Sequence, residues 1–453
     1  MSKLWEKNYR LNSLIEKYTV GIDYKLDKSL VIPDCIASMA HAVMLSSINI
    51  ITNDELLSLK KGLISIIKET KSKKFKILPS DEDCHTAIEN YLVKKTGDAG
   101  KKIHTGRSRN DQILGAVRIF TRNFLLEFML NVVALSKSLL TLAEKNKNVP
   151  MPGRTHMQIA MPSSVGLWAA SFAEDLIDNI RLTQAVYDFN NMSPLGSAAG
   201  YGVPLPINRE LTAELLGFTK VQRNVLYVSN SRGKVEAVVL DNLDYTGITL
   251  SKMAQDLIIF SMPEFGYFSI PSELCSGSSI MPNKKNPDGL ELIRAKSETL
   301  SSYASQIKNI IRSLPSGYNR DFQETKEPFL KGTRLCLESV QIMDLTIQKL
   351  EINKSNLLKG FSSEIFATDA ALELVQKGKS FREAYREIGL DLENLKNRNP
   401  EEAIGKRKHT GGSGNLNIEK ARKELQKIET QITKERERLR NKIMDLTGFE
   451  VLF

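Results

Sequence analysis

Gln112–Asn146 reads QILGAVRIFTRNFLLEFMLNVVALSKSLLTLAEKN, without a proline. Within it Phe120, Phe124, Phe128, Val132, Leu135, Leu139 and Leu142 recur at steps of three and four, the spacing that lines one face of an α-helix. A helix of that length spans roughly 50 Å at 1.5 Å per residue. Proline removes a helix hydrogen bond and clashes with the preceding turn, so proline-free intervals mark where long helices fit. The 15 prolines leave 80–149, 163–193, 207–262, 288–314 and 329–399 clear. The spacing predicts further helices over 163–191, 232–262, 287–313 and 328–350. Five long helices in the middle of one chain predict a bundle. Strand signals are thin, and β-branched runs such as Asn224–Val228 stand isolated. The expected fold is all-α.

Working outward from the bundle, 453 residues exceed one ordinary core. Three helical regions are expected: 1–110, with a lysine-rich stretch at Lys68–Lys76; the bundle, 111–350; and 351–453, where the elements shorten again. The last region carries a loop at His409–Asn415 and a final helix with Ile418, Leu425, Ile428, Ile432 and Leu439 at heptad-like steps. That stripe reads either as a seam for a partner or as a face packed within the chain.

Apolar residues make 41% of the chain and charged residues 26%, a globular balance that excludes disorder for the bulk of it. The net charge of +10 divides as +6, +1 and +3 over the three regions. No segment is a strongly basic arm, which argues against nucleic acid and leaves room for small anionic ligands. The four cysteines form no CxxC pair, HExxH is absent, and the five histidines lack ligand spacing, so no metal is expected. Walker, GxGxxG and GxSxG motifs are absent too. The opening Met1–Arg10 is charged, and no run reaches the roughly 18 apolar residues of a membrane span. A reduced, cytoplasmic protein without a membrane partner is expected.

Four polar islands interrupt the helical pattern. Residues 264–289 hold three Gly, three Pro and five Ser among 26, and include GSSIMPNKKNP, Gly277–Pro287. Pro287 suits the first position of a helix, which places Glu291 near its first turn. Lys101–Gln112 (KKIHTGRSRNDQ) puts two arginines, two hydroxyls and an amide at the start of the first long helix, a plausible carboxylate cradle. Asp81–Thr86 (DEDCHT) lies close by, where the acids read equally as helix N-terminal charges. Met151–Gln158 (MPGRTHMQ) opens the second long helix, and Pro315–Lys326 (PSGYNRDFQETK) joins the fourth to the fifth. All four lie at helix ends, where a site built from a bundle's loops would form.

Gly277–Pro287 resembles the loop shared by the fumarase/aspartase superfamily of lyases, and HTGRSRNDQ (His104–Gln112) with DEDCHT resembles its argininosuccinate lyases. The resemblance runs from about Leu4 to Leu350. It implies homotetramers whose central helices form a twenty-helix core, with active sites drawn from three subunits. It also implies a cofactor-free cleavage of a small molecule, argininosuccinate, to arginine and fumarate. By the same resemblance Ser278 and His156 transfer protons, Ser278 as base and His156 as acid, with Glu291 orienting His156. Lys284 and Asn286 would clamp the carboxylate that gains charge. Ser108, Arg109, Asn110 and Thr155 would make carboxylate and amide contacts, and His85 would lie near the fumarate half; Tyr318, Gln323 and Lys326 would receive the arginine end, Lys326 pairing with its α-carboxylate.

Two positions depart from the family pattern. Arg154 stands where the family commonly has Tyr, either disfavouring a charged His156 or binding a carboxylate. Val20-Gly21-Ile22-Asp23 stands where it often has a substrate-binding Ser. The alternatives are another fumarate-releasing lyase of the adenylosuccinate, aspartate or malate type, and a non-catalytic crystallin-like homologue.

Overall fold

The computed structural model describes residues 12–451; the charged opening Met1–Arg10 and the start of the family resemblance at Leu4 lie outside them. The five expected helices form at Arg109–Lys145, Val165–Asn190, Lys234–Ser261, Asp288–Ile311 and Lys326–Lys349. The first packs on the second and fifth, and the third on the second, fourth and fifth. The fold is all-α, with short strand pairs as its only sheet among the described residues.

Local chemistry sets the helix starts. Ser108 caps the first helix, its hydroxyl accepting from the Asn110 N–H while the Asp111 carboxylate accepts from the Ser108 N–H. Ser164 caps the second by accepting from the Leu167 N–H at 3.0 Å. Pro287 sits at the N-cap of the fourth helix, one residue before the position that the sequence predicts.

Packing then fixes the bundle. Phe120, Phe124 and Phe128 stack in sequence along the first helix, and Phe329 of the fifth meets the Phe120 ring edge-on at 6.3 Å. Burying a side chain of that size contributes about 1.5–3 kcal/mol. By length and composition the first helix could cross a membrane, but most of its most apolar stretch is buried inside the bundle.

Two arginines interrupt that helix, and both are buried. The Arg118 Nη2 donates to Ser231 Oγ, and the Arg122 Nη2 to the Leu216 carbonyl while its guanidinium lies 4.6 Å from the Phe218 ring centre. Burial pushes each down to about 10. They pin the long 191–233 connection to the first helix. Asp111 adds two bonds from the Gly196 and Ala198 N–H groups, and burial lifts its carboxyl to about 6.

The sequence differs from the structure in two local ways. The third polar island does not open the second helix: Pro150–Thr155 and Gln158–Ser164 form an antiparallel hairpin turning at His156-Met157. Gly153 permits it, because a Cβ there would stand 2.7 Å from the Met161 carbonyl oxygen. The Asn224–Val228 run belongs to a helix, Val225–Asn230, capped by Asn224. The terminal stripe Ile418, Leu425, Ile428, Ile432 and Leu439 is covered within the chain, its helix Ile418–Thr447 packing on the first and second bundle helices.

Candidate active site

Because successive bundle helices run in opposite directions, each connection falls at a determined end. The starts of the first, third and fifth helices share one end, where Arg109, Arg232 and Lys326 line one pocket; the 150–164 hairpin and the 264–289 loop share the other, where Arg154 meets Phe265. The first helix alone, 37 residues, is about 55 Å long.

At the first end the structure brings six predicted residues around one pocket: His85, Arg109, Asn110, Tyr318, Gln323 and Lys326. Ser108 adjoins it as the helix cap. Three charged groups organise the walls. The Lys326 ammonium donates to Asp27 at 2.6 Å and pairs with Asp23 at 3.1 Å, with its side chain 5% exposed. Burial opposes its charge, yet the two carboxylates hold it above the usual lysine range. Arg109 pairs with Glu82 at 3.0 Å and Asp83 at 3.4 Å, and donates to Thr86 Oγ1 at 2.7 Å. His85 donates through Nδ1 to Asp34 at 2.9 Å; burial opposes a charge on the ring, but Asp34 raises its proton affinity above the usual histidine value, and its buried Nε2 has no partner among the described residues. That Nε2 is left for a ligand to satisfy.

The acids of DEDCHT serve two ends. Asp83 caps the helix Cys84–Thr96 by accepting from the Thr86 N–H, and with Glu82 it fixes Arg109. Asp27, Cys84 and His85 present donor atoms within 4.8 Å of one another. Both Asp27 oxygens are committed, one to Lys326 and one to the Cys84 N–H, and His85 Nδ1 to Asp34. An ammonium at 2.6 Å opposes a divalent ion there.

At the other end, of the predicted proton-transfer groups His156 stands exposed and Ser278 half-buried. Thr155 and His156 sit at the hairpin tip, where His156 and Met157 adopt φ of 51° and 63°. The Arg154 guanidinium lies 4.9 Å from the Phe265 ring centre and donates to the Met157 carbonyl, bracing the turn. Gly277–Pro287 is itself a small hairpin, with Ser276-Gly277 paired to Lys285-Asn286. Ser278 Oγ accepts from the N–H groups of Ile280 at 3.3 Å and Met281 at 3.0 Å. Two donors aimed at one hydroxyl oxygen favour its ionised form. Lys284 is exposed and makes no hydrogen bond to Ser278, and Glu291, on the first turn of the fourth helix, makes none to His156. Within one chain the structure therefore does not join Thr155, His156, Ser278, Lys284, Asn286 and Glu291 to the pocket.

The sequence reading did not single out Arg232 or Arg320, which also line the pocket. Helix direction was the available signal: the third helix begins at the same end as the first and fifth.

Residues 1–300 match a family model described as Lyase. Fold and family match together define the class, a lyase. The chain is 42% identical over 386 residues to an argininosuccinate lyase of Thermotoga neapolitana, covering 85% of this chain and 97% of that one. It is 44% identical over 391 residues to that of Phocaeicola vulgatus, with 86% and 88% covered. The chain belongs to the argininosuccinate lyase family. Its fold is also that of an EDDS lyase solved in complex with formate, with TM-score 0.76 and 23% identity over 98% of this chain and 95% of that one. A class II fumarase from Schistosoma mansoni shares it too, with TM-score 0.71 and 16% identity over 88% and 96%.

Proposed function

We propose that the chain cleaves argininosuccinate reversibly to arginine and fumarate, in arginine biosynthesis, at cytoplasmic sites assembled from several copies of a homotetramer. The observation that carries this reading is the separation of the two ends. The expected binding residues converge on one pocket, while the expected proton-transfer residues stand a bundle length away. Copies running antiparallel would bring the hairpin of one and the serine loop of another to the pocket of a third.

The chemistry fits that division. A base removes the proton on the carbon beside a carboxylate, and the electron pair moves into that carboxylate. The adjacent carbon–nitrogen bond then breaks, its electrons leave with the guanidino nitrogen, and an acid protonates that nitrogen. Stabilising the doubly charged carboxylate is the demanding part, for which donors are the means. Ser278 is the base, its alkoxide favoured by the two N–H donors, and His156 the acid. Lys284 and Asn286 clamp the charged carboxylate, with Thr155 beside them. Across the subunit boundary Glu291 orients His156. Arg109, Asn110, Ser108 and His85 hold the fumarate half, and Tyr318, Gln323 and the Lys326 group hold the arginine end.

The test is fumarate absorbance on adding argininosuccinate to purified protein, with adenylosuccinate, aspartate and malate in parallel, and mass by light scattering. Fumarate from argininosuccinate by a tetramer is expected. Turnover of a rival substrate, or of none, would overturn the activity, and a fully active monomer the shared site.

A further inference from the structure

Five of the nine residues in Lys68–Lys76 are lysines, and none of them lines the pocket at the head of the bundle. Lys68 and Lys71 lie in the last turn of the helix Asn53–Lys71, where cations complement the helix dipole. The dipole does not account for Lys73 and Lys76, which follow the helix, or for Lys28, which comes from the turn Asp27–Ser29. These three line one groove of about 520 Å³ together with Val31, Phe75 and Ile77. Small-molecule sites commonly have roughly 300–1,000 Å³.

No carboxylate lines the groove, and the ammonium groups of Lys28, Lys73 and Lys76 make no hydrogen bond or ion pair with any described residue. The acids nearest to the lysine stretch are spent elsewhere. Glu69 accepts from the Tyr91 hydroxyl, and Asp81 from the Leu78 N–H and from Asn90. Three like charges around one concavity repel each other until an anion enters it. The backbone gives a second, independent observation. The Lys74 N–H donates to the Glu69 carbonyl and the Lys73 N–H to the Thr70 carbonyl, the Schellman closure of a helix. That closure holds Lys73 at φ 58°, where glycine sits at least cost. The turn itself would prefer glycine, so the lysine is there for its side chain.

We propose that this groove binds a nucleoside triphosphate, with its phosphates among Lys28, Lys73 and Lys76 and its base over Phe75, Val31 and Ile77. Ammonium groups on flexible stems are compact point charges that suit phosphate oxygens. Tyr91 meets the Phe75 ring edge-on at 5.9 Å and steadies it, and the buried Val31 and Ile77 make the floor apolar. An inorganic anion would use the lysines alone; a base also covers the floor. The groove shares no residue with the substrate pocket, so it stands or falls apart from the elimination reading.

The probes are ATP, tripolyphosphate and adenosine, titrated into the full chain by calorimetry at low and at physiological salt. One ATP per chain is expected, with tripolyphosphate weaker by at least about 10-fold for want of the base. Arginine with fumarate should not displace ATP. Lys73→Gly should weaken ATP by at least about 10-fold while raising the thermal midpoint, because it removes a charge and relieves the turn together. Should that midpoint fall instead, the exposed pair Lys28→Met with Lys76→Met decides by the same loss of ATP. Lys61→Met, an exposed lysine earlier on the same helix, should change nothing, and Phe75→Leu should narrow the gap between ATP and tripolyphosphate. A chain that does not bind ATP, equal losses in Lys61→Met and Lys73→Gly, or displacement by arginine with fumarate would overturn the site. Tripolyphosphate as tight as ATP would overturn the base-binding floor. Tighter binding of a short single-stranded oligonucleotide that displaces ATP would give the face to nucleic acid instead.

Discussion

The two ends of the bundle are built by different rules. At the pocket end, Asp27 and Lys326, and Asp34 and His85, are almost wholly buried and bonded in pairs, so the pocket's walls are set by the fold of a single chain. At the loop end, Thr155, His156, Lys284 and Glu291 are exposed and make no such network. On the proposed reading, substrate binding and proton transfer are divided between surfaces about one helix length apart. A buried charge network resists substitution because each member leaves another unpaired. Exposed groups are replaceable without unfolding, so their loss should appear in rate alone.

The largest contrast is kinetic. Ser278→Ala and His156→Asn are each expected to lower kcat by at least about 10²-fold, with the thermal midpoint unchanged in scanning calorimetry. Mixing either with Lys326→Met through unfolding and refolding should restore part of the activity, since one intact pocket can then meet one intact loop. No recovery would place the whole site within one copy and remove the contrast.

Lys326→Met tests the other end by stability. It leaves Asp27 buried beside Asp23 without a cation, at an expected cost of about 3–5 kcal/mol in denaturant unfolding. A much smaller loss would mean that water reaches the cluster.

A smaller effect depends on pH. Burial, with Arg107 and Arg109 nearby, pushes His104 at the pocket end down to about 4. Between about 6.5 and that value the unfolded chain binds a proton that the folded chain does not, so stability rises with pH and is lost on acidification. His104→Asn should flatten the fall of the unfolding midpoint from pH 6.5 to 4; an unchanged profile would assign the fall to other groups. The smallest expected change is Ser108→Ala, about 1 kcal/mol for a lost helix cap. It should come with a several-fold rise in KM, because Oγ accepts the cap bond and still has its O–H to donate.

Most of the fold was legible because proline gaps and apolar spacing report on the same property, an uninterrupted helix. The five long helices end within about three residues of expectation for that reason. The hairpin at 150–164 was not legible: Pro152 and Gly153 break any alternation, and His156-Met157 is not a pair that marks a turn. The pocket residues that resemble a family motif could be named from the sequence, but their partners could not. Nothing in the order of residues says that Asp27 lies against Lys326, 299 positions away, or that Arg154 packs on Phe265. Arg232 escaped because a lone arginine carries no pattern; only its place at the head of an odd-numbered helix ties it to the pocket.

The tip of the 150–164 hairpin has a consequence for how the imidazole is aimed. Two adjacent non-glycine residues hold left-handed backbone angles there, where Asn-Gly would sit with less strain. Selection for an easy fold and selection for a functional ring thus pull on the same dipeptide. Met157→Gly would relieve the local strain but also widen the arc through which the ring can swing, giving a sturdier ribbon with a less steady pointer.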